Sequence, residues 1–341
     1  MQIVRILLLP ISWIYGLILF TRNLFYNWGF PGTYEVPVKS IVVGNLQLGG
    51  TGKTPHLAYL LEILKDKNCV VVSRGYGGTN RETLLVDASM TAAKVGDEPL
   101  EIARKFPNVS IVVDADRKRA IQYIGAHLPK AELILFDDAL QHRKIKAGLN
   151  LLLTTWDKPY TRDHYLPAGS LRDHKIRSKD CNLHIVTKCP RQTTTEMRRR
   201  YQDKNDLPSP LVFTQLKYGE VSPLLPHQQG FAGQPIILLS AIAKPIYFED
   251  AAKERFHVLK HFSYRDHHYF TDSELGSIDS YRLTADVNAV ILTTEKDASR
   301  LMDMPWVKNH LSFLVYVWPI SVEECDLSQP LKAAVLNYVK S

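Results

Sequence analysis

The sequence predicts an α/β fold in which a parallel sheet carries helices on both faces. Three observations predict it. Short apolar runs alternate with helix-like segments along the first half of the chain. One run ends in a glycine turn, GGTGKT, that opens directly into the helical register LAYLL. After a proline-rich interval the strand and helix alternation restarts, so a second, smaller α/β domain follows the first.

The elements follow in order. The apolar runs 38–44, 69–73, 109–113, 133–136, 149–153 and 184–187 read as buried strands. Between them 55–65, 98–105 and 117–127 read as helices. Pro208, Pro210, Pro223 and Pro226 then crowd an extended-looking LVFTQL. Beyond it come strands at 236–240, 287–293 and 311–317 and a helix at 247–256. The expected division is an N-terminal helix at 1–28, a nucleotide-binding and catalytic domain at 29–207, and a C-terminal α/β domain with its extended linker at 208–341.

The first twenty residues stand apart. IVRILLLPISWIYGLILF is uncharged between Arg5 and Arg22 and carries Trp13 and Tyr15. A spanning helix needs roughly 20 apolar residues. Three readings fit: a signal peptide, a buried core helix, and a helix lying in a membrane interface with its aromatics at headgroup depth. Phe25, Tyr26 and Trp28 follow the run where a signal peptide would have small residues at a cleavage site.

The chain has 341 residues and a net charge of +7, which suits an anionic partner: nucleic acid, anionic lipid or a phosphorylated ligand. No interleaving of basic and aromatic residues suited to strands is present, which argues against nucleic acid. The four cysteines form no CxxC pair and no zinc spacing, so a reducing compartment is expected.

GGTGKT departs from G-x-x-x-x-G-K-[ST] at one position, where Gln47 replaces the first glycine. The rest fits a phosphate loop, and the fold expected is P-loop NTPase-like. Gly49, Gly50, Thr51, Gly52, Lys53 and Thr54 would surround ATP phosphates with backbone N–H groups. Lys53 would neutralise the β- and γ-phosphates, and the Thr54 hydroxyl would bind Mg²⁺. Such a site needs an acid at a neighbouring strand end. LILFDD supplies Asp137 and Asp138, and VSIVVDAD supplies Asp114 and Asp116 in competition. VTKC at 186–189 faintly resembles the guanine reader [NT]KxD, but the Asp two places after the Lys is missing.

GGTGKTP is followed by SRGYGG (73–78), GDEP (96–99), DDALQHR (137–143), LPAGSLRD (166–173), RDHHYF (265–270) and TTEKDA (293–298). This ordered set resembles the tetraacyldisaccharide 4′-kinases, the lipid A 4′-kinases of Gram-negative bacteria, over nearly the whole chain. The resemblance implies an ATP- and Mg²⁺-dependent kinase at the cytoplasmic face of the inner membrane. It would phosphorylate the 4′-hydroxyl of tetraacyldisaccharide 1-phosphate to give lipid IVA. A lipid substrate and the membrane surface are the partners implied, and no obligate protein partner is inferred. Asp97 is the implied base, working with His267, although His268 is adjacent. Asp137 and Asp138 share the metal and the reaction centre, with Asp138 also counted as catalytic. Asp173 stands where the family usually carries a Glu that helps hold the metal. The resemblance places Ser73, Arg74 and Tyr76 near the disaccharide and its phosphate, and Arg117 and Arg172 are further anion-binding candidates. The local alternative for Asp97 is a helix N-cap; for Asp173 it is an ion pair with Arg172. The competing class is a membrane-recruited P-loop switch without a small-molecule acceptor, which has no need of Asp97 together with a distant histidine.

Overall fold

The computed structural model describes residues 2–341 apart from Pro31, His227, Gln229 and Leu311. Its main sheet has nine strands. From one edge they are Ile320–Glu324, Leu211–Tyr218, Leu183–Thr187, Leu149–Thr155, Lys39–Asn45, Leu133–Asp137, Cys69–Ser73, Ser110–Val113 and Leu84–Leu85. Pairing is parallel except at the two edges. The central strands are continuous Val, Ile and Leu runs because both faces are covered. Ile41 and Val43 face a core shared with the helix Lys53–Ile63, while Val42 faces one shared with Arg117–His127.

The second sheet runs Ser222–Pro223, Val315–Trp318, Val290–Thr294, Ile236–Ser240 and Val258–Ser263. Leu311, the expected start of its last long strand, lies outside the described residues. The expected boundary after residue 207 differs from sheet membership. Leu211–Tyr218 pairs with Leu183–Thr187 in the main sheet, and Ile320–Glu324 returns to pair with it. Leu331 and Val335 of the last helix, Pro330–Lys340, are fully buried in the first core. The chain therefore crosses between the two units twice, and the second is an insertion closed by the C-terminal segment.

The first helix is Gln2–Asn27. It is long and apolar enough to cross a membrane by length and composition. Ile6, Leu7, Ile11, Trp13, Ile14, Leu17 and Ile18 are exposed, which is not the pattern of a core helix. Its other face is seated by polar contacts: Ser12 Oγ accepts from Ala168 N at 2.9 Å, and Tyr15 Oη donates to Arg172 O at 3.3 Å.

Candidate active site

The site lies beyond the carboxyl ends of the central strands, where parallel α/β sheets bind ligands. Lys39–Asn45 runs into the glycine loop, and the helix Lys53–Ile63 begins behind Gly52. Gly52 has φ 88°, a left-handed conformation that glycine adopts without strain. The loop is held from below. Asn45 Nδ2 donates to Thr51 Oγ1 at 2.8 Å, and Thr187 Oγ1 donates to Thr51 O at 2.8 Å. Gln47 has a structural role. Its buried amide donates to Asp163 Oδ2 at 3.0 Å and to Lys158 O at 3.2 Å. Leu48 N then donates to Ser170 O at 2.7 Å, and Arg172 N to Leu46 O at 2.9 Å. The LPAGSLRD segment is thus fastened to the entrance of the phosphate loop. Thr54 makes no side-chain hydrogen bond among the described residues, which leaves its hydroxyl available.

Asp137 and Asp138 end the strand beside the loop, with Val43 and Asp137 in register. Asp138 Oδ2 lies 3.7 Å from Lys53 Nζ, and Asp138 Oδ1 accepts from Arg172. Burial opposes its charge, but Lys53 and Arg172 hold its carboxyl below the usual range. Asp137 is buried; its Oδ2 accepts from Ser73 Oγ at 3.1 Å, and its Oδ1 has no hydrogen-bond partner among the described residues. Burial, then the charges of Glu98 and Asp138, push it up to about 7. An unpartnered buried carboxylate oxygen at the strand end next to the glycine loop suits the oxygen chemistry of a hard divalent cation. Asp114 and Asp116 are otherwise engaged: Asp114 pairs with Arg119, and Asp116 caps the helix Arg117–His127.

Asp97 opens the helix Asp97–Lys105. Gly96 is the N-cap at φ 94°, and Asp97 makes no capping bond. A Cβ on Gly96 would sit 2.7 Å from Tyr76 O, so glycine lets the SRGYGG loop lie against Asp97. Asp97 is 2% exposed and accepts three hydrogen bonds. Arg300 Nε donates to Oδ1 at 2.9 Å, Arg300 Nη2 to Oδ2 at 2.6 Å, and His267 Nδ1 to Oδ2 at 2.7 Å. Burial alone would raise this carboxyl, but the His267 and Arg300 hydrogen bonds outweigh it and hold it at about 2. An ionised Asp97 only accepts, so the ring proton is on Nδ1. Lys296 Nζ donates to the other nitrogen, Nε2, at 3.2 Å. The His267 side chain is 26% exposed. His268 turns away to Glu274 at 3.0 Å, so of the two rings it is His267 that meets Asp97.

Most expected residues converge and two do not. Arg74 and Tyr76 are exposed, and Tyr76 meets the His267 ring edge-on at 5.4 Å. Arg117, expected to bind an anion, is buried; its guanidinium donates to Asp114 O and to Asp137 O. It braces the strand ends from beneath. Asp173, expected at the metal, is fully buried under the first helix. Its Oδ1 accepts from Arg22, Asn23 and His174 N, and no hydrogen bond or ion pair joins it to Asp137, Asp138 or Thr54. The aspartate seats the N-terminal helix instead, and it pairs with Arg22 at 3.2 Å and Arg177 at 3.9 Å, not with Arg172. Sequence reasoning missed Arg300, Lys296 and Glu98. The first lies just past TTEKDA and was legible only as an i,i+3 partner of Asp297.

His56 supplies a stability prediction. It is fully buried in the first turn after the loop, with Nδ1 2.7 Å from Gly52 O and Nε2 3.0 Å from Thr214 Oγ1. Burial lowers it to about 4. The unfolded chain takes up this proton near pH 6.5 and the folded chain only near 4. Stability is therefore complete above 6.5 and falls through that window, by about 3 kcal/mol for this group. His142, also lowered to about 4, acts in the same direction. Urea unfolding at pH 7.5 and 4.5 checks this: His56→Gln should shrink the difference, and an unchanged difference would contradict it.

A sequence model described as tetraacyldisaccharide-1-P 4'-kinase matches residues 4–340. The tetraacyldisaccharide 4'-kinase of Bacteroides thetaiotaomicron is 34% identical over 98% of this chain and 93% of its own. That of Flavobacterium johnsoniae is 34% identical over 100% and 98%. That of Porphyromonas gingivalis is 37% identical over 86% and 85%. A crystal structure of LpxK from Aquifex aeolicus in complex with ATP is similar with a TM-score of 0.77 and 26% identity, covering 98% of this chain and 99% of that one.

Proposed function

We propose a reaction for this chain on the premise that it belongs to the tetraacyldisaccharide-1-P 4'-kinase family. It transfers the γ-phosphate of ATP to the 4′-hydroxyl of tetraacyldisaccharide 1-phosphate, giving lipid IVA. The observation that carries the reading is the Asp97–His267 hydrogen bond. It joins the two units beside a phosphate loop, as a kinase needs and a nucleotide switch does not.

In this reading the glycine loop and Lys53 hold the phosphates, and positioning supplies most of the catalysis. Mg²⁺ would be held by Asp137, Asp138 and Thr54 and would supply charge neutralisation for the transferring phosphoryl group. Asp173 is left out of this set. The acceptor hydroxyl gives its proton to the Asp97–His267 pair, whose solvent-reachable member is the imidazole. Arg300 keeps Asp97 ionised, and Asp97 in turn fixes the ring tautomer. Arg74 and Tyr76 lie at the rim for the disaccharide.

The exposed apolar face of Gln2–Asn27, ending in Trp28 and Phe30, supports seating on the cytoplasmic face of the inner membrane, where a tetraacylated substrate resides. Basic charge favours the same surface.

Transfer of radiolabelled phosphate from ATP to tetraacyldisaccharide 1-phosphate in mixed micelles tests the reading. Labelled lipid is expected. A folded, ATP-binding protein that labels no lipid would favour the nucleotide switch instead.

A further inference from the structure

The strand Leu183–Thr187 ends beside the phosphate loop. Thr187 fastens this strand end to the phosphate loop through Thr51 O. The next residue, Lys188, turns into the left-handed region at φ 57°. Its ammonium then stands over the loop. A Cβ built on Gly50 would lie 3.9 Å from Lys188 Nζ and 3.4 Å from the Ala243 Cβ.

The same ammonium lies 4.6 Å from the centroid of the Tyr247 ring. Tyr247 belongs to the helix Ile246–Arg255 of the second unit. Among the described residues Lys188 has no hydrogen bond or ion pair through its ammonium. The neighbouring acid, Asp157, is taken by Lys244 Nζ at 2.6 Å. Burial, then the charge of Lys244, pull Lys188 down to about 8. A half-buried cation with a second cation nearby, and with the neighbouring carboxylate already paired to that second cation, is unfavourable until an anion arrives.

We propose that Lys188 is a second nucleotide-binding cation, which holds the phosphate chain of ATP over Gly50 from the side opposite the helix that carries Lys53. Tyr247 and Ala243 bring the second unit onto the same ligand. The VTKC segment explains the chemistry: it keeps the lysine of [NT]KxD but has Pro190 where a base-reading Asp would stand. A lysine without that acid recognises phosphate oxygens and leaves guanine unread. The inference rests on ATP as the nucleotide of the proposed reaction.

The acceptor also carries a phosphate, so the test separates the two anions. ATP affinity is measured by titration calorimetry on the full chain, and KM is measured for ATP and for the lipid. Lys188→Met is expected to weaken ATP binding by about 10-fold or more, the worth of a charge-assisted hydrogen bond. KM for the lipid should stay within about twofold, and Lys188→Arg should recover most of the loss. Near pH 8 the wild type should take up a proton on binding ATP, because the phosphate restores the ammonium against Lys244. Asp157 and Tyr247 remain in place in both proteins, and Lys188→Met should lose the uptake. Unchanged ATP affinity in Lys188→Met beside a wild type that binds ATP overturns this inference alone. A raised lipid KM with unchanged ATP affinity also overturns it and assigns the cation to the acceptor. A wild type that binds no ATP overturns the kinase reading together with it.

Discussion

Asp97→Asn is expected to lower kcat for lipid phosphorylation by about 10²–10⁴-fold, the contribution of a positioned acid–base group. ATP affinity should change little, because Asp97 touches none of the phosphate-loop residues. The substitution also removes the charge that Arg300 grips through two hydrogen bonds at a site 2% exposed on both sides. Breaking a buried pair in this way costs about 3–5 kcal/mol. Arg300 keeps a second carboxylate, Asp297 Oδ1 at 3.0 Å, which softens the loss. Activity and melting temperature should therefore fall together in Asp97→Asn. His267 lies outside the Arg300 pair and is partly exposed, so His267→Gln should lower kcat without the stability loss. Steady-state kinetics and thermal melts on both variants check this. A variant of Asp97 that melts lower but keeps wild-type kcat would make the residue structural only.

Lys53→Ala is the second large effect, expected as a loss of about 10²–10³-fold in transfer, the worth of one preorganised cationic donor at the transferring phosphate. Stability should hardly move. The Lys53–Asp138 pair is 3.7 Å long and partly exposed, and pairs of that kind contribute about 0–1 kcal/mol. Asp138 also keeps Arg172. Activity lost without stability lost is the signature of a ligand-binding lysine. Retained transfer, measured at saturating lipid, would remove the phosphate loop from the reaction.

The contrast between these two variants reflects what was legible in the sequence. The phosphate loop is local: strand, turn and helix are contiguous, and buried parallel strands announce themselves as unbroken apolar runs. The acids Asp137 and Asp138 follow such a run by simple adjacency. The Asp97–Arg300 pair spans 203 positions, and only tertiary pairing brings it together. Leu211–Tyr218 looked like a linker because prolines surround it, yet its partner strand decided its place. Arg117 looked like an anion ligand because arginine often is one. It follows an N-cap aspartate in a helix whose first turn faces the strand ends, so its side chain turns inward. Asp173 was assigned by resemblance to a longer acid. Its carboxylate instead accepts hydrogen bonds from Arg22 and Asn23 of the N-terminal helix.

A double-mutant cycle on Asp97→Asn and His267→Gln, read as kcat for labelled phosphate transfer to the lipid at saturating ATP, tests the cross-unit pair most directly. Residues that act as one unit are strongly non-additive. The expected result is that each single variant loses a similarly large factor and the double variant loses little more. Independent, multiplying losses, or wild-type kcat in His267→Gln, would contradict a pair that takes the proton jointly.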